Sequence, residues 1–98
     1  MDDFDAEEWA EMQEMYINHT SKELAKIQED IDNIIIDSLR TFGHNIKGSG
    51  GMYGFDEVTN LGTEIEASAK ADDRDKIKSL LTELSNFLKS KNFFRINF

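Results

Sequence analysis

The sequence predicts an all-α protein: an antiparallel four-helix bundle with an additional N-terminal helical segment. Three observations carry this. Apolar residues recur at three- and four-residue spacing along most of the chain, the period of a helix rather than a strand. No proline interrupts the pattern anywhere in the 98 residues. The breaks between periodic segments are short, and short links join helices lying antiparallel. A chain of this length suits one domain. Within 1–98 we place a core at about residues 21–91, an acidic helical extension at 1–20 and an apolar tail at 92–98.

Taken in order, Trp9, Met12 and Tyr16 make a first helical stripe. "NHTSKE" then offers a break, because Thr20 and Glu23 stand at capping-box spacing. Leu24, Ile27, Ile31 and Ile34 continue the stripe, so a single long bent helix is the alternative. Asp32 and Asn33 suit a tight connection. The next helix runs from about Ile34 to Tyr53. "GFD" at 54–56 resets the chain, with Asp56 as a candidate N-cap. Phe55, Val58, Leu61, Ile65 and Ala69 form the following stripe. "ADDRD" at 71–75 reads as a turn with capping acids. Ile77, Leu80, Leu81, Leu84, Phe87 and Leu88 make the broadest apolar face. The tail, with Phe93, Phe94, Ile96 and Phe98, either packs on the bundle or serves as a docking segment, or else marks a piece of a longer protein.

Composition narrows the function. The net charge is −9, and residues 1–33 carry all of it, with eleven acids against two bases. Nucleic acid binding needs a basic footprint, so it is excluded as a class. The acidic third is read as a solvated face. No cysteine is present, so neither a disulfide framework nor a thiolate zinc site is available. The two histidines, His19 and His44, are far apart, and no metal site is expected. No apolar run approaches the roughly 18 residues of a membrane span. The start, "MDDFDAEEWAEM", lacks the basic opening of a signal peptide. The expectation is a soluble, cytoplasmic protein with no membrane partner.

One stretch stands apart. "GHNIKGSGGMYG", Gly43 to Gly54, holds five of the six glycines. A glycine inside a helix costs roughly 0.5–1 kcal/mol relative to alanine. At about 100° per residue, Ile35, Leu39, Phe42, Ile46 and Tyr53 share a narrow stripe directly opposite His44. The stripe is the side to be buried, so His44 faces solvent. Asp37, Arg40, Lys47, Gly48 and Gly51 share its face. On its C-terminal side the histidine therefore has one cation and two missing side chains as neighbours. Helix stability is given up for access: another protein can come close there. The alternative is a helix that ends near Lys47, with Gly48 a C-cap; the common phase of Ile46 and Tyr53 argues against it. A phosphate-binding glycine loop is disfavoured, since the lysine precedes the glycine and no strand leads into it.

The run "HNIKGSGGMYGF" resembles the signature of the histidine-containing phosphotransfer domain, the carrier module of two-component phosphorelays. His44, Lys47, Gly48, Ser49, Gly50, Gly51 and Gly54 fill the pattern, and Asn45 stands where the family commonly has a small residue or threonine. "FDEVTNLGTEIE" looks like the family's following helix, and the likeness is clearest over residues 35–90. The phosphoacceptor domain of chemotaxis kinases is similar. The resemblance implies a four-helix bundle with His44 exposed mid-helix as the acceptor through Nε2. It implies that Lys47 steadies the phosphoryl oxygens, and that Gly48 and Gly51 clear space for a receiver domain.

The chemistry of the residues agrees. An unprotonated imidazole nitrogen is a competent nucleophile. Phosphoryl transfer needs in-line placement and charge stabilisation, which one histidine and one cation do not complete. The chain is therefore expected to be a phosphocarrier and not an enzyme, without a cofactor of its own, acting with a receiver domain or a histidine kinase. Mg²⁺ is expected on the receiver. The partner surface is expected to centre on His44, Lys47, Gly48 and Gly51, with Asp37, Arg40 and Thr41 at its edge. The rival reading is a helical adaptor that docks without accepting phosphate.

Overall fold

The computed structural model describes residues 5–96, with side chains described through Lys91. Four helices follow one another: α1 (Ala6–Glu29), α2 (Ile36–Gly50), α3 (Asp56–Lys70) and α4 (Arg74–Ile96). A 3₁₀ turn, Gly51–Tyr53, extends α2. No strand occurs among the described residues. The connections are short enough to fit antiparallel neighbours.

α1 runs unbroken through the expected break at 18–23, but it ends at Glu29, leaving Ile31 and Ile34 in the connection. Its capping box is Asp5 with Glu8, not Thr20 with Glu23: Glu8 N–H donates to Asp5 Oδ1 at 2.8 Å, and Asp5 N–H to Glu8 Oε1 at 3.3 Å. Thr20 sits in mid-helix, 2% exposed, because it shares the buried stripe with Ile17 and Leu24. Continuing the helix buries all three, whereas a cap at Thr20 would break that stripe. From Ala6 onward, the expected extension and the start of the core are thus one helix.

α2 and its 3₁₀ turn reach Tyr53, so the helix does not stop at Lys47. Leu39, Phe42 and Ile46 are buried as expected. Ile35 is not; it is 67% exposed. It is the N-cap, with φ −68° and ψ 143°, so its backbone is extended and helical phase does not apply to it. Gly54 closes the turn at φ 86°, a left-handed conformation that glycine adopts without penalty. The N-cap of α3 is Phe55, and Asp56 lies in its first turn. There its carboxylate still faces the positive end of the helix dipole. Asp73 caps α4, accepting from Lys76 N–H at 3.1 Å.

The core is drawn from all four helices: Ile17 and Leu24, then Leu39, Phe42 and Ile46, then Val58, Leu61, Ile65 and Ala69, then Ile77, Leu80, Leu81, Leu84 and Leu88. Two polar devices hold the ends of α2. Arg74 Nη1 donates to the carbonyls of Ile31 and Ile34, both at 2.7 Å, pinning the α1–α2 connection. At the other end the Tyr16 ring stacks on Tyr53 with centroids 4.6 Å apart, and the Tyr16 and Ser49 hydroxyls are 2.8 Å apart. The expected packing of the 92–98 tail concerns side chains outside the described ones.

Candidate functional site

α2 and α3 approach each other through glycines. A Cβ on Gly62 would lie 2.6 Å from the Lys47 amide nitrogen and 2.8 Å from the Gly43 carbonyl oxygen. A Cβ on Gly43 would lie 2.7 Å from the Glu66 amide nitrogen, and one on Gly50 would lie 2.7 Å from that of Thr59. Three glycines therefore serve helix contact, not access. No spacing within a single helix marks them for this, because the contact is made between two helices.

This close contact carries Glu66 of α3 beside His44 and Lys47 of α2. Glu66 Oε2 is 3.1 Å from His44 Nδ1, and Oε1 is 2.7 Å from Lys47 Nζ. Lys70 Nζ stands 4.0 Å from Oε2. The Glu66 side chain is only 11% exposed, while that of His44 is 64% exposed. The ring is therefore in solvent and anchored at one nitrogen only. The bond from Lys47 holds the Glu66 carboxyl below the ordinary carboxylate range, against the opposing effect of burial. The bond to His44 and the charge of Lys70 act in the same direction as Lys47. An ionised carboxylate only accepts hydrogen bonds, so in the neutral ring Nδ1 carries the proton. Nε2 then keeps its lone pair, the state a nucleophile needs.

Glu66 is the functional candidate missed from sequence. A carboxylate next to Ile65 on a helix with a buried stripe was the available signal, since buried charges are almost always paired. Its partners lie on another helix, at a separation no local spacing encodes.

The other expected residues fall into two groups. Beside the histidine, Gly48 is exposed, and a Cβ there would meet nothing within 4 Å. Gly51 is exposed too, and a Cβ there would be 3.4 Å from Thr59 Oγ1, an ordinary contact. Arg40 and Thr41 line a shallow depression of about 210 Å³ with His44 and Glu66. Asp37 does not line it. Asp37 instead pairs with Arg40 at 2.7 Å, and its carbonyl accepts from the Thr41 hydroxyl at 3.1 Å. Solvent screens a pair this exposed, so it adds little to stability.

Among the described residues no group of three or more His, Cys, Asp or Glu is placed to hold a metal. No described helix is long and apolar enough to cross a membrane. The model of the family described as Hpt domain matches residues 11–90. No curated protein and no solved structure matches the chain.

Proposed function

Because the chain belongs to the Hpt-domain family, whose members carry phosphoryl groups in two-component signalling, we propose that His44 is its phosphoacceptor. The observation that carries this is the split environment of the ring: Nδ1 bonded to Glu66, the rest in solvent beside the bare Gly48.

In this reading Nε2 attacks the phosphorus of an aspartyl phosphate on a receiver domain. The N–P bond forms as the acyl O–P bond breaks, and the aspartate leaves as a carboxylate. The proton on Nδ1 stays in its bond to Glu66, whose negative charge stabilises the positive charge growing on the ring. Lys47 is bonded to Glu66 and retains further N–H donors for the phosphoryl oxygens. The reverse step returns the group to a receiver. A histidine kinase is the other donor class.

Hpt domains are phosphocarriers and not catalysts, and the division of labour proposed here follows that. The partner supplies Mg²⁺ and the acidic pocket that binds it, and this chain supplies the nucleophile, Glu66 and Lys47. Gly48 and Gly51 make room for the partner, with Arg40 and Thr41 at the rim. The proposed location is cytoplasmic, where receivers act.

The test is incubation with a receiver carrying labelled aspartyl phosphate. Acid-labile label should appear on the wild type and be absent from His44→Gln, with helix content unchanged. Label on the variant, or none on the wild type with any cognate receiver, overturns the assignment. A helical adaptor would keep partner binding in His44→Gln and never take label.

A further inference from the structure

α3 addresses three separate groups of Lys47. Its ammonium is held by Glu66 at 2.7 Å. Its amide nitrogen would lie 2.6 Å from a Cβ on Gly62, so the missing side chain there permits close helix contact. Its carbonyl oxygen accepts from the Thr59 hydroxyl at 3.0 Å. Thr59, Gly62 and Glu66 follow one another at i, i+3 and i+7, so they share one face of α3.

The Thr59 hydroxyl is used twice. Besides donating to Lys47, Oγ1 accepts from the Gly51 N–H at 2.8 Å. A hydroxyl has one proton, so the two bonds fix its orientation. Together they tie both ends of the Lys47–Gly51 turn to α3. That turn contains Gly48, Gly50 and Gly51, each unfavourable in a helix, and there α2 tightens into a 3₁₀ turn. Lysine's four-carbon stem is flexible, so where its ammonium can reach depends on where its backbone is held.

We infer that Thr59 is a positioning residue for phosphoryl transfer: by bridging Lys47 C=O and Gly51 N–H, it holds the glycine-weakened turn and so keeps the Lys47 ammonium at the Glu66–His44 pair. This rests on His44 being the phosphoacceptor. Thr59 itself touches none of the reacting atoms. Its hydroxyl compensates, from the neighbouring helix, for the side chains that the exposed turn lacks.

The experiment compares rapid-quench transfer from a labelled receiver to wild type, Thr59→Val, Thr59→Ala and Thr59→Ser, with thermal melts and Gly51 amide exchange on each. Valine keeps the branched shape without the hydroxyl, alanine removes any chance of overpacking, and serine restores the hydroxyl. Loss of the two bonds should slow maximal transfer roughly three- to tenfold in the valine and alanine variants. The receiver concentration at half-saturation should not change. Gly51 exchange should accelerate in both, and serine should bring rate and exchange to within about twofold of wild type. Either hydroxyl-free variant that stays folded and transfers at the wild-type rate overturns the inference. So does a change confined to half-saturation, or a serine variant as slow as valine. A wild type that takes no label refutes the acceptor reading itself, a different result from a labelled wild type indifferent to residue 59.

Discussion

Gly48 and Gly50 are two residues apart on α2 and do opposite things. A side chain at Gly48 would meet open space, while one at Gly50 would meet the Thr59 backbone at 2.7 Å. The same division runs along the helix. One face, through Gly43 and Gly50, is pressed on α3, and the other, through His44 and Gly48, is bare to solvent. Glycines in one helix can thus have two physical causes. One is close backbone packing, in which the lost helix propensity is offset by contact. The other is clearance, in which tertiary structure must carry the cost.

The largest effect is expected at Gly62. Gly62→Ala should destabilise the protein by about 1–3 kcal/mol in denaturant unfolding, because the new methyl group meets the α2 backbone at both Lys47 N and Gly43 O. Wild-type stability in this variant would show that the contact is slack. The same substitution at Gly48 should have the opposite sign. Gly48→Ala should stabilise by roughly 0.5–1 kcal/mol, since it gains helix propensity and meets nothing. Phosphoryl transfer should slow only modestly in Gly48→Ala and more in Gly48→Leu, as rate measurements against one receiver would show.

The smallest effect concerns pH. Glu66 has its folded-state pKa lowered, chiefly by Lys47. Its contribution to stability is therefore complete above the ordinary carboxylate pKa of about 4.3 and is lost as pH falls through the lowered value. In Glu66→Gln this part of the acid limb should vanish from a plot of unfolding free energy against pH. An unchanged acid limb would show that the Lys47–Glu66 bond does not persist in solution.

Much of this was legible from residue spacing. The outward direction of His44 followed from the phase of Leu39, Phe42 and Ile46, and the helical class from periodicity uninterrupted by proline. Local capping chemistry is a weaker guide than helical phase. Thr20 and Glu23 had capping-box spacing, but burial of Thr20 with Ile17 and Leu24 took precedence. Ile35 fitted the stripe on paper, yet as the extended N-cap it left the helical phase and stayed exposed. Asp56 had a capping residue's identity, but the chain entered the helix one residue earlier, at Phe55.

Which faces are oily, where His44 points and that Gly48 lies on its side of α2 all follow from the fixed geometry of one helix. That Glu66 bonds both His44 and Lys47, that Thr59 bonds both ends of the Lys47–Gly51 turn, and which glycines lie against α3 are features of the packing between helices. Those facts depend on how two helices, 22 residues apart at the His44–Glu66 bond, are set in height and rotation. Interlocking side chains and missing side chains set that register together, and no single helix contains the information.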